Sequence, residues 1–396
     1  MKKWISVLCA VTMAGSLLAG CAGQSLDSGG SEPSADAAQT EAQAPSAGDS
    51  EASGGLKIAI VSSPSGVDDG SFNENIYDGI LAYIDEDPSS SVTPVKETTG
   101  DVAACIQTVQ DIVADYDVIV CCGFQFAGIG GIAQENPDVK FLMVDTGATD
   151  AEGNEITLDN VYSMTFKEQE GGFLAGVAAA LTTKSGKVAV VNGIAYPSNV
   201  NYEYGFMSGV NYANAHFDTK AECVELDSYA GTDVTGANVG GNYVGSFADE
   251  ATGKVVGQSL IDQGCDVIFV AAGGSGNGVF TAAKENEGVF IIGCDVDQFS
   301  DGVNGSGNII LTSALKVMDM NVTKQLKKIA DGSFKGENAL LGAESDSVGF
   351  VSTQGRNQLT DDAISKIEEA YGLIKDGTVV PAANFNEMTP DNFTGL

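Results

Sequence analysis

Glycines and acids suited to holding a ligand gather in one stretch, Asp266 to Asp297. A short apolar run, Val267 to Ala271, leads into glycines at 273, 274, 276 and 278, and a second run, Val289 to Gly293, ends in Asp295 and Asp297. Between them, Val279 to Asn286 has helical composition. Strand, glycine loop, helix and strand make a βαβ unit, which calls for a parallel sheet with a right-handed crossover. Such sheets bind ligands beyond the carboxyl ends of their strands, where Gly273, Gly274, Asp295 and Asp297 fall. A ligand site on those tips is the first expectation.

The same loop has a competing reading. Dinucleotide folds place G-x-G-x-x-G after the strand, with an acid about 20 residues on to hold the ribose. Asp295 meets the second condition. Gly274, Gly276 and Gly278, however, are spaced G-x-G-x-G, with Val279 where the third glycine belongs. A nucleotide cofactor is therefore disfavoured, and no cofactor is expected.

Enzymatic chemistry finds little support. His216 is the only histidine, which argues against a serine or cysteine triad and against histidine-based metal catalysis. Eight cysteines contain no C-x-x-C pair, so a zinc or redox centre is poorly supported and no metal is expected. Cys121, Cys122, Cys223, Cys265 and Cys294 lie in or beside predicted buried strands, and Cys105 on a predicted helix; disulfides and small buried thiols are both compatible with that pattern. The formal net charge of −35 repels nucleic acid and anionic lipid and disfavours a polyanionic ligand.

The elements that must position these residues alternate. A strand over Leu56 to Val61 leads into the loop Ser62 to Gly70 and a helix from Ser71-Phe72-Asn73 to about Ile84, with Asp69 or Ser71 as its cap. A strand at Val92 to Lys96, a helix at Val102 to Ala114, a strand at Val118 to Cys122, a helix at Ile129 to Asn136, and strands at Phe141 to Val144 and Val161 to Thr165 complete a doubly wound lobe. A second lobe starts near Phe166, with a helix Glu168 to Thr183 in which Gly171, Gly172 and Gly176 allow close approach. It continues through a strand Lys187 to Asn192, a helix Tyr202 to Ala215, a strand Glu222 to Leu226, a helix Gly253 to Gln263, the βαβ unit and a strand Ile309 to Thr312. The helix Lys316 to Ala330 returns to the first lobe. The expected division is α/β with residues 56–165 plus about 313–335 in lobe 1, residues 166–312 plus about 336–396 in lobe 2, and three crossings forming a hinge.

Ahead of these lobes, Lys2 and Lys3 precede an apolar run, Trp4 to Leu18, too short to span a bilayer, closed by Leu18-Ala19-Gly20-Cys21. A cysteine directly after Leu-Ala-Gly resembles the bacterial lipobox, which implies that residues 1–21 are a signal segment, that Cys21 is diacylated, and that it anchors the protein to the extracytoplasmic face of the cell membrane. Residues 22–55, rich in Ser, Gly, Ala, Glu, Asp, Gln and Pro, read as a disordered tether.

Several phrases resemble the basic membrane protein family of lipobox-bearing ABC-transporter substrate-binding proteins, whose best-characterised members are purine-nucleoside receptors. They are Asp68-Asp-Gly-Ser-Phe-Asn73, Gly123-Phe124 with Ala133-Gln-Glu-Asn-Pro-Asp-Val-Lys-Phe141, Phe166-Lys-Glu-Gln-Glu-Gly-Gly-Phe-Leu-Ala-Gly176, Gly205-Phe206 with Gly209, Gly245-Ser-Phe-Ala-Asp249, Ala271-Ala-Gly-Gly274, Ile292-Gly-Cys-Asp-Val-Asp297, and Thr312-Ser313 with Lys316. They stand in the family's order across residues 56 to about 320.

The resemblance implies the two-lobed periplasmic-binding type I fold and a monomer that binds a small molecule and delivers it to ABC permease and ATPase subunits, without catalysis. It places Phe72 and Phe247 as the aromatics that sandwich a base, Asp145 as acceptor for base nitrogens, and Asp295, Gly273, Gly274 and Lys316 around the ribose hydroxyls. Where the family usually has an aspartate at the tip of the first strand, this chain has Ser62-Ser63-Pro64; Asn73, Ser71 and Asp249 are possible substitutes. Purine nucleoside is the expected ligand, with riboflavin or a sugar on the same scaffold, or a sensor without transport, as alternatives.

Overall fold

The structure is a computed structural model and describes residues 54–396. The lipobox reading of Cys21 and nearly all of the expected tether lie outside the described residues. Among the described residues, no helix is long and apolar enough to cross a membrane.

Twelve strands build two six-stranded sheets. In chain order they are β1 (Lys57–Ser62), β2 (Ser91–Lys96), β3 (Val118–Cys122), β4 (Lys140–Val144), β5 (Val161–Phe166), β6 (Lys187–Asn192), β7 (Glu222–Cys223), β8 (Val267–Ala271), β9 (Phe290–Asp295), β10 (Ile310–Lys316), β11 (Glu337–Leu341) and β12 (Val348–Phe350). The first sheet runs β2-β1-β3-β4-β5-β11 and the second β7-β6-β8-β9-β10-β12. All pairings are parallel except β12, which runs antiparallel to β10. Each sheet therefore reverses its winding between its first and third strands, at β1/β3 and at β6/β8. Those two switch points are where an open α/β sheet leaves a crevice at its carboxyl edge.

Strand composition follows from burial. β3 and β8 are buried at every position, so they read as unbroken apolar runs, as a sheet covered on both faces requires. The more exposed β2 lies at an edge, where Pro94 costs no ladder bond. Alternate residues of the first sheet face opposite layers. Ile58, Ile60, Val118 and Val120 pack on α1 (Phe72–Glu86) and α8 (Met318–Ala330), while Ala59, Val61, Ile119 and Phe141 pack on α2 (Val102–Ile112) and α3 (Gly130–Glu135).

The second sheet is covered by α4 (Glu168–Thr182), α5 (Pro197–His216), α6 (Glu250–Asp262), α7 (Gly276–Glu285) and α9 (Asp361–Lys375). α4 and α5 approach backbone to backbone. A Cβ at Gly172 or Gly176 would overlap the carbonyls of Tyr202 and Phe206, and one at Gly205 or Gly209 those of Gln169 and Phe173. Glycine is required there by space, from both helices reciprocally.

Three crossings join the lobes: β5 to α4, β10 to α8, and β11 to β12. They lie side by side, since Lys167 donates to the Leu341 carbonyl at 2.8 Å and Val317 to the Ser347 carbonyl at 2.9 Å. The segment boundaries differ from the sequence reading. β10 stays in the second sheet through Lys316, and Glu337–Leu341, placed with the second lobe on sequence, is the edge strand of the first sheet beside β5. These five residues lie at a half-exposed edge and open on Glu337-Asn338, so only the short run Ala339-Leu340-Leu341 signals them.

Candidate functional site

Between the lobes lies a cleft, built at the two switch points. Phe72, Asn73 and Asp145 line it from the first lobe; Phe247, Gly273, Asp295 and Lys316 line it from the second. Two further predicted residues stand just behind. Ser71 donates across the lobes to Asp295 Oδ2 at 3.1 Å, and a Cβ at Gly274 would lie 3.2 Å from the Phe247 carbonyl oxygen.

Local structure explains each placement. Asp69, not Ser71, caps α1, accepting from the backbone amides of Asn73 at 3.2 Å and Glu74 at 3.1 Å. That leaves the Ser71 hydroxyl free to reach Asp295 and fixes Phe72 in the first turn. Asn73 donates to Asp69 at 2.7 Å and to Ser63 Oγ at 3.2 Å, and its own Oδ1 is buried without a partner among the described residues. Phe247 sits on a loop held by Ser275, whose amide donates to the Phe247 carbonyl at 3.0 Å and whose hydroxyl donates to Ser246 O at 2.9 Å. Its ring lies on Gly193, where a Cβ would overlap it. From the other lobe, Ser65 Oγ donates to the same carbonyl at 2.8 Å.

Lys316 is the electrostatic centre. Its side chain is 3% exposed, and its ammonium lies 2.7 Å from Asp145, 3.7 Å from Glu168 and 3.7 Å from Asp295. The same nitrogen stands 5.0 Å from the centroid of the Phe72 ring and 5.5 Å from that of Tyr202. Burial pulls the ammonium's pKa down, but Asp145, Asp295 and Glu168 outweigh it and hold the pKa above its ordinary value. Burial raises the pKa of Asp145, opposed by Lys316, and pushes Glu168 up to about 8. Among the described residues Asp145 Oδ1 is buried with no hydrogen-bond partner, so the cluster keeps an acceptor unspent.

Other sequence expectations are corrected. Asp297, read as a ligand tip, turns away to pair with Arg356 at 2.6 Å. Asp249, a possible substitute for the missing aspartate, caps α6 by accepting from Thr252 at 2.9 Å. The six cysteines in the described region are free thiols. His216 stacks on Tyr212 at 4.2 Å, away from the cleft lining.

Sequence reasoning missed Glu168, Tyr196, Asn199 and Tyr202. Tyr202 donates to Asp295 Oδ1 at 3.2 Å, and Tyr196 lies 5.2 Å from Phe124 and 6.0 Å from Phe247, centroid to centroid. Their signal was weak because α5 is buried over nearly its whole surface and shows no amphipathic stripe. Glu168 stood inside a quoted phrase, and its proximity to Lys316 arises only when two crossings meet.

A family model described as "ABC transporter substrate-binding protein PnrA-like" matches residues 56–235 and 229–381. The chain is 29% identical over 350 residues to a "CD4+ T-cell-stimulating antigen" of Listeria innocua, covering 84% of this chain and 89% of the relative. It is 29% identical over 302 residues to the "ABC transporter nucleoside-binding protein BmpA" of Lactococcus lactis, covering 71% and 77%. Among solved structures, an ABC transporter solute-binding protein of Aeropyrum pernix superposes with a TM-score of 0.68 at 22% identity over 84% of this chain and 94% of that one. A second, from Conexibacter woesei, gives 0.58 at 20% identity over 81% and 97%. These likenesses show the two-lobed periplasmic-binding type I fold, and the match across both lobes shows the rest: the chain belongs to the PnrA-like family of ABC transporter substrate-binding proteins, the basic membrane proteins.

Proposed function

We propose that this protein is an extracytoplasmic receptor, lipid-anchored through Cys21, that binds a purine nucleoside between its lobes as a monomer and delivers it to the permease and ATPase of an ABC importer. The observation that carries the reading is the convergence, in one interlobe cleft, of Phe72 and Phe247 with the buried Lys316 cluster. A flat heterocycle gains from aromatic faces, and hydroxyls and ring nitrogens gain from charged partners that form short, directional bonds. The printed name of the Lactococcus relative, a nucleoside-binding protein, points the same way.

Ligand contacts drawn from both lobes stabilise the closed arrangement, because only differential affinity shifts a two-state equilibrium. Ser65 to Phe247 and Ser71 to Asp295 are bonds that exist only when the lobes meet. Phe72 and Phe247 are assigned to the base, Asp145 with Asn73 to base nitrogens, and Asp295, Lys316, Gly273 and Gly274 to the sugar. The acidic chain and a cluster of three carboxyls around one ammonium favour an uncharged ligand over a nucleotide.

A second reading, riboflavin or a sugar in place of the nucleoside, is favoured by one feature. Ser63 puts a neutral hydroxyl where a carboxylate is expected, and one changed polar partner alters specificity strongly. Thermal melting of protein stripped of carried-over ligand separates the readings. A ligand at 100 times its Kd stabilises by about 2.7 kcal/mol, so the melting temperature should rise with purine nucleosides and not with riboflavin or ribose. A rise with riboflavin or ribose alone would sink the nucleoside assignment.

A further inference from the structure

A chain of buried amides runs from the interior of the second lobe to the cleft wall. Glu203, on α5, is 2% exposed; Asn192, at the end of β6, is 0% exposed; and Asn199, one helical turn before Glu203, is 6% exposed and lines the cleft. Asn192 Nδ2 donates to Glu203 Oε2 at 2.8 Å. Asn199 Nδ2 donates to Asn192 Oδ1 at 3.2 Å and to the Ala271 carbonyl at 2.8 Å.

The orientation of each amide is forced. A carbonyl oxygen only accepts, so the Asn199 atom against Ala271 is its nitrogen. Both protons of that nitrogen are then spent, one on Ala271 and one on Asn192, which must present its oxygen. Asn192 therefore turns its own nitrogen to Glu203. Burial raises the pKa of Glu203 well above the ordinary carboxyl value, with Glu225 adding to the rise and the Asn192 bond opposing it; the carboxyl oxygen accepts in either protonation state. What remains is Asn199 Oδ1, which takes no hydrogen bond from the described residues and belongs to a side chain forming the cleft wall.

We propose that Asn199 contacts the ligand through Oδ1, accepting a hydrogen bond from a hydroxyl or N–H donor, and that Asn192 and Glu203 are positioning residues that hold it as an acceptor. The Ala271 carbonyl and the Asn192 oxygen each take one proton of the Asn199 amide, so rotating it would leave both acceptors unpaired; the relay reinforces the Ala271 bond and keeps an ambivalent side chain selecting donors. The inference rests on the nucleoside reading above and deepens it: a group on the ligand facing α5 must donate.

The test is titration calorimetry on the full-length protein with adenosine, guanosine and inosine, their 2′-, 3′- and 5′-deoxy analogues, and purine riboside, which lacks an exocyclic donor. Asn199→Leu should weaken the tightest nucleoside about tenfold, the worth of one hydrogen bond. One analogue should bind the wild type about tenfold more weakly than its parent yet bind the variant equally well. A deoxy analogue in that role identifies a sugar hydroxyl as the donor, and purine riboside an amino group. Glu203→Leu, which leaves the Ala271 bond in place, should reproduce part of the loss of discrimination, and Glu203→Gln, which keeps an acceptor for Asn192, should restore it. Asn199→Ser carries the same expectation if the leucine variant melts below the assay temperature. A variant that binds like the wild type, or that weakens parent and every analogue alike, overturns the inference and leaves the receptor reading standing. A wild type that binds no nucleoside overturns both.

Discussion

Asp145 and Asp295 occupy the same place in the two lobes, each at the carboxyl end of the fourth strand of its sheet, and both have left-handed backbones, with φ of 62° and 69°. A side chain with a Cβ seldom adopts that region; aspartate and asparagine do so most readily, because a short polar side chain bonds locally. The repeated lobe thus delivers two carboxyls from symmetric positions onto one ammonium, Lys316, which has no counterpart in the first lobe. The cleft is two-fold in its scaffold and one-fold in its charge.

That backbone separates charge from strain. Asp145→Asn and Asp295→Asn should add no backbone strain, since asparagine tolerates the left-handed region, and should lose only the charge contribution to Lys316, while Asp295→Val should cost about 1–3 kcal/mol more than Asp295→Asn. Melting temperatures of the three variants check it. In binding, Asp295→Ala should weaken ribosides more than free bases.

Loss of either aromatic should be felt in affinity. Phe72→Ala or Phe247→Ala should each remove about 1–3 kcal/mol of nucleoside binding, with little change in melting temperature, because both rings face the cleft. Calorimetry of both variants against the wild type measures it; unchanged affinity in both would mean that the rings do not hold the base.

Lys316→Met leaves Asp145, Glu168 and Asp295 without their cation. Breaking a buried ion pair from one side costs about 3–5 kcal/mol, so this variant should lose stability even without ligand, as read by denaturant midpoint. A midpoint equal to that of the wild type would contradict the charge assignment.

The pH dependence follows from Glu168 and Glu170, whose pKa values burial raises from 4.5 to about 8 and about 7. Between the unfolded and folded values the folded chain holds protons that the unfolded chain has released, so stability falls as pH rises. The contribution is fully present below about pH 4.5 and is lost by about pH 8. Glu168→Gln should flatten the decline of melting temperature across that window. A decline of unchanged slope would show that Glu168 is ionised throughout.

Much of the fold was legible in the chain because parallel strands buried on both faces leave apolar runs bounded by glycines and acids. Val118–Cys122, Lys187–Asn192 and Val267–Ala271 have the same bounds in sequence and structure. The glycine loop was read too long. After a single 3-10 turn over Gly273–Ser275, α7 already begins at Gly276, because a Cβ at Gly278 would overlap the Glu250 carbonyl of α6 and glycine is what lets these helices meet. The strand expected to reach Leu226 ends at Cys223; beyond it the Leu226 amide donates to Asn242 Oδ1 at 2.8 Å rather than to a neighbouring strand. The cleft residues carried by local motifs, Phe72 and Phe247 among them, were found. Those brought in by helix packing, Asn199 and Tyr202, were not, because a helix buried all round carries no stripe to mark which face meets the ligand.

A purine nucleoside is the ligand proposed for the cleft of Phe72, Phe247 and Lys316. The most direct test is isothermal titration of refolded, ligand-free protein with adenosine, guanosine, inosine, uridine, riboflavin and ribose. A purine nucleoside should bind saturably and one-to-one, more tightly than ribose or uridine. Binding of riboflavin or ribose with none of any nucleoside would contradict that assignment and would mean that the scaffold was kept while the pocket was rebuilt.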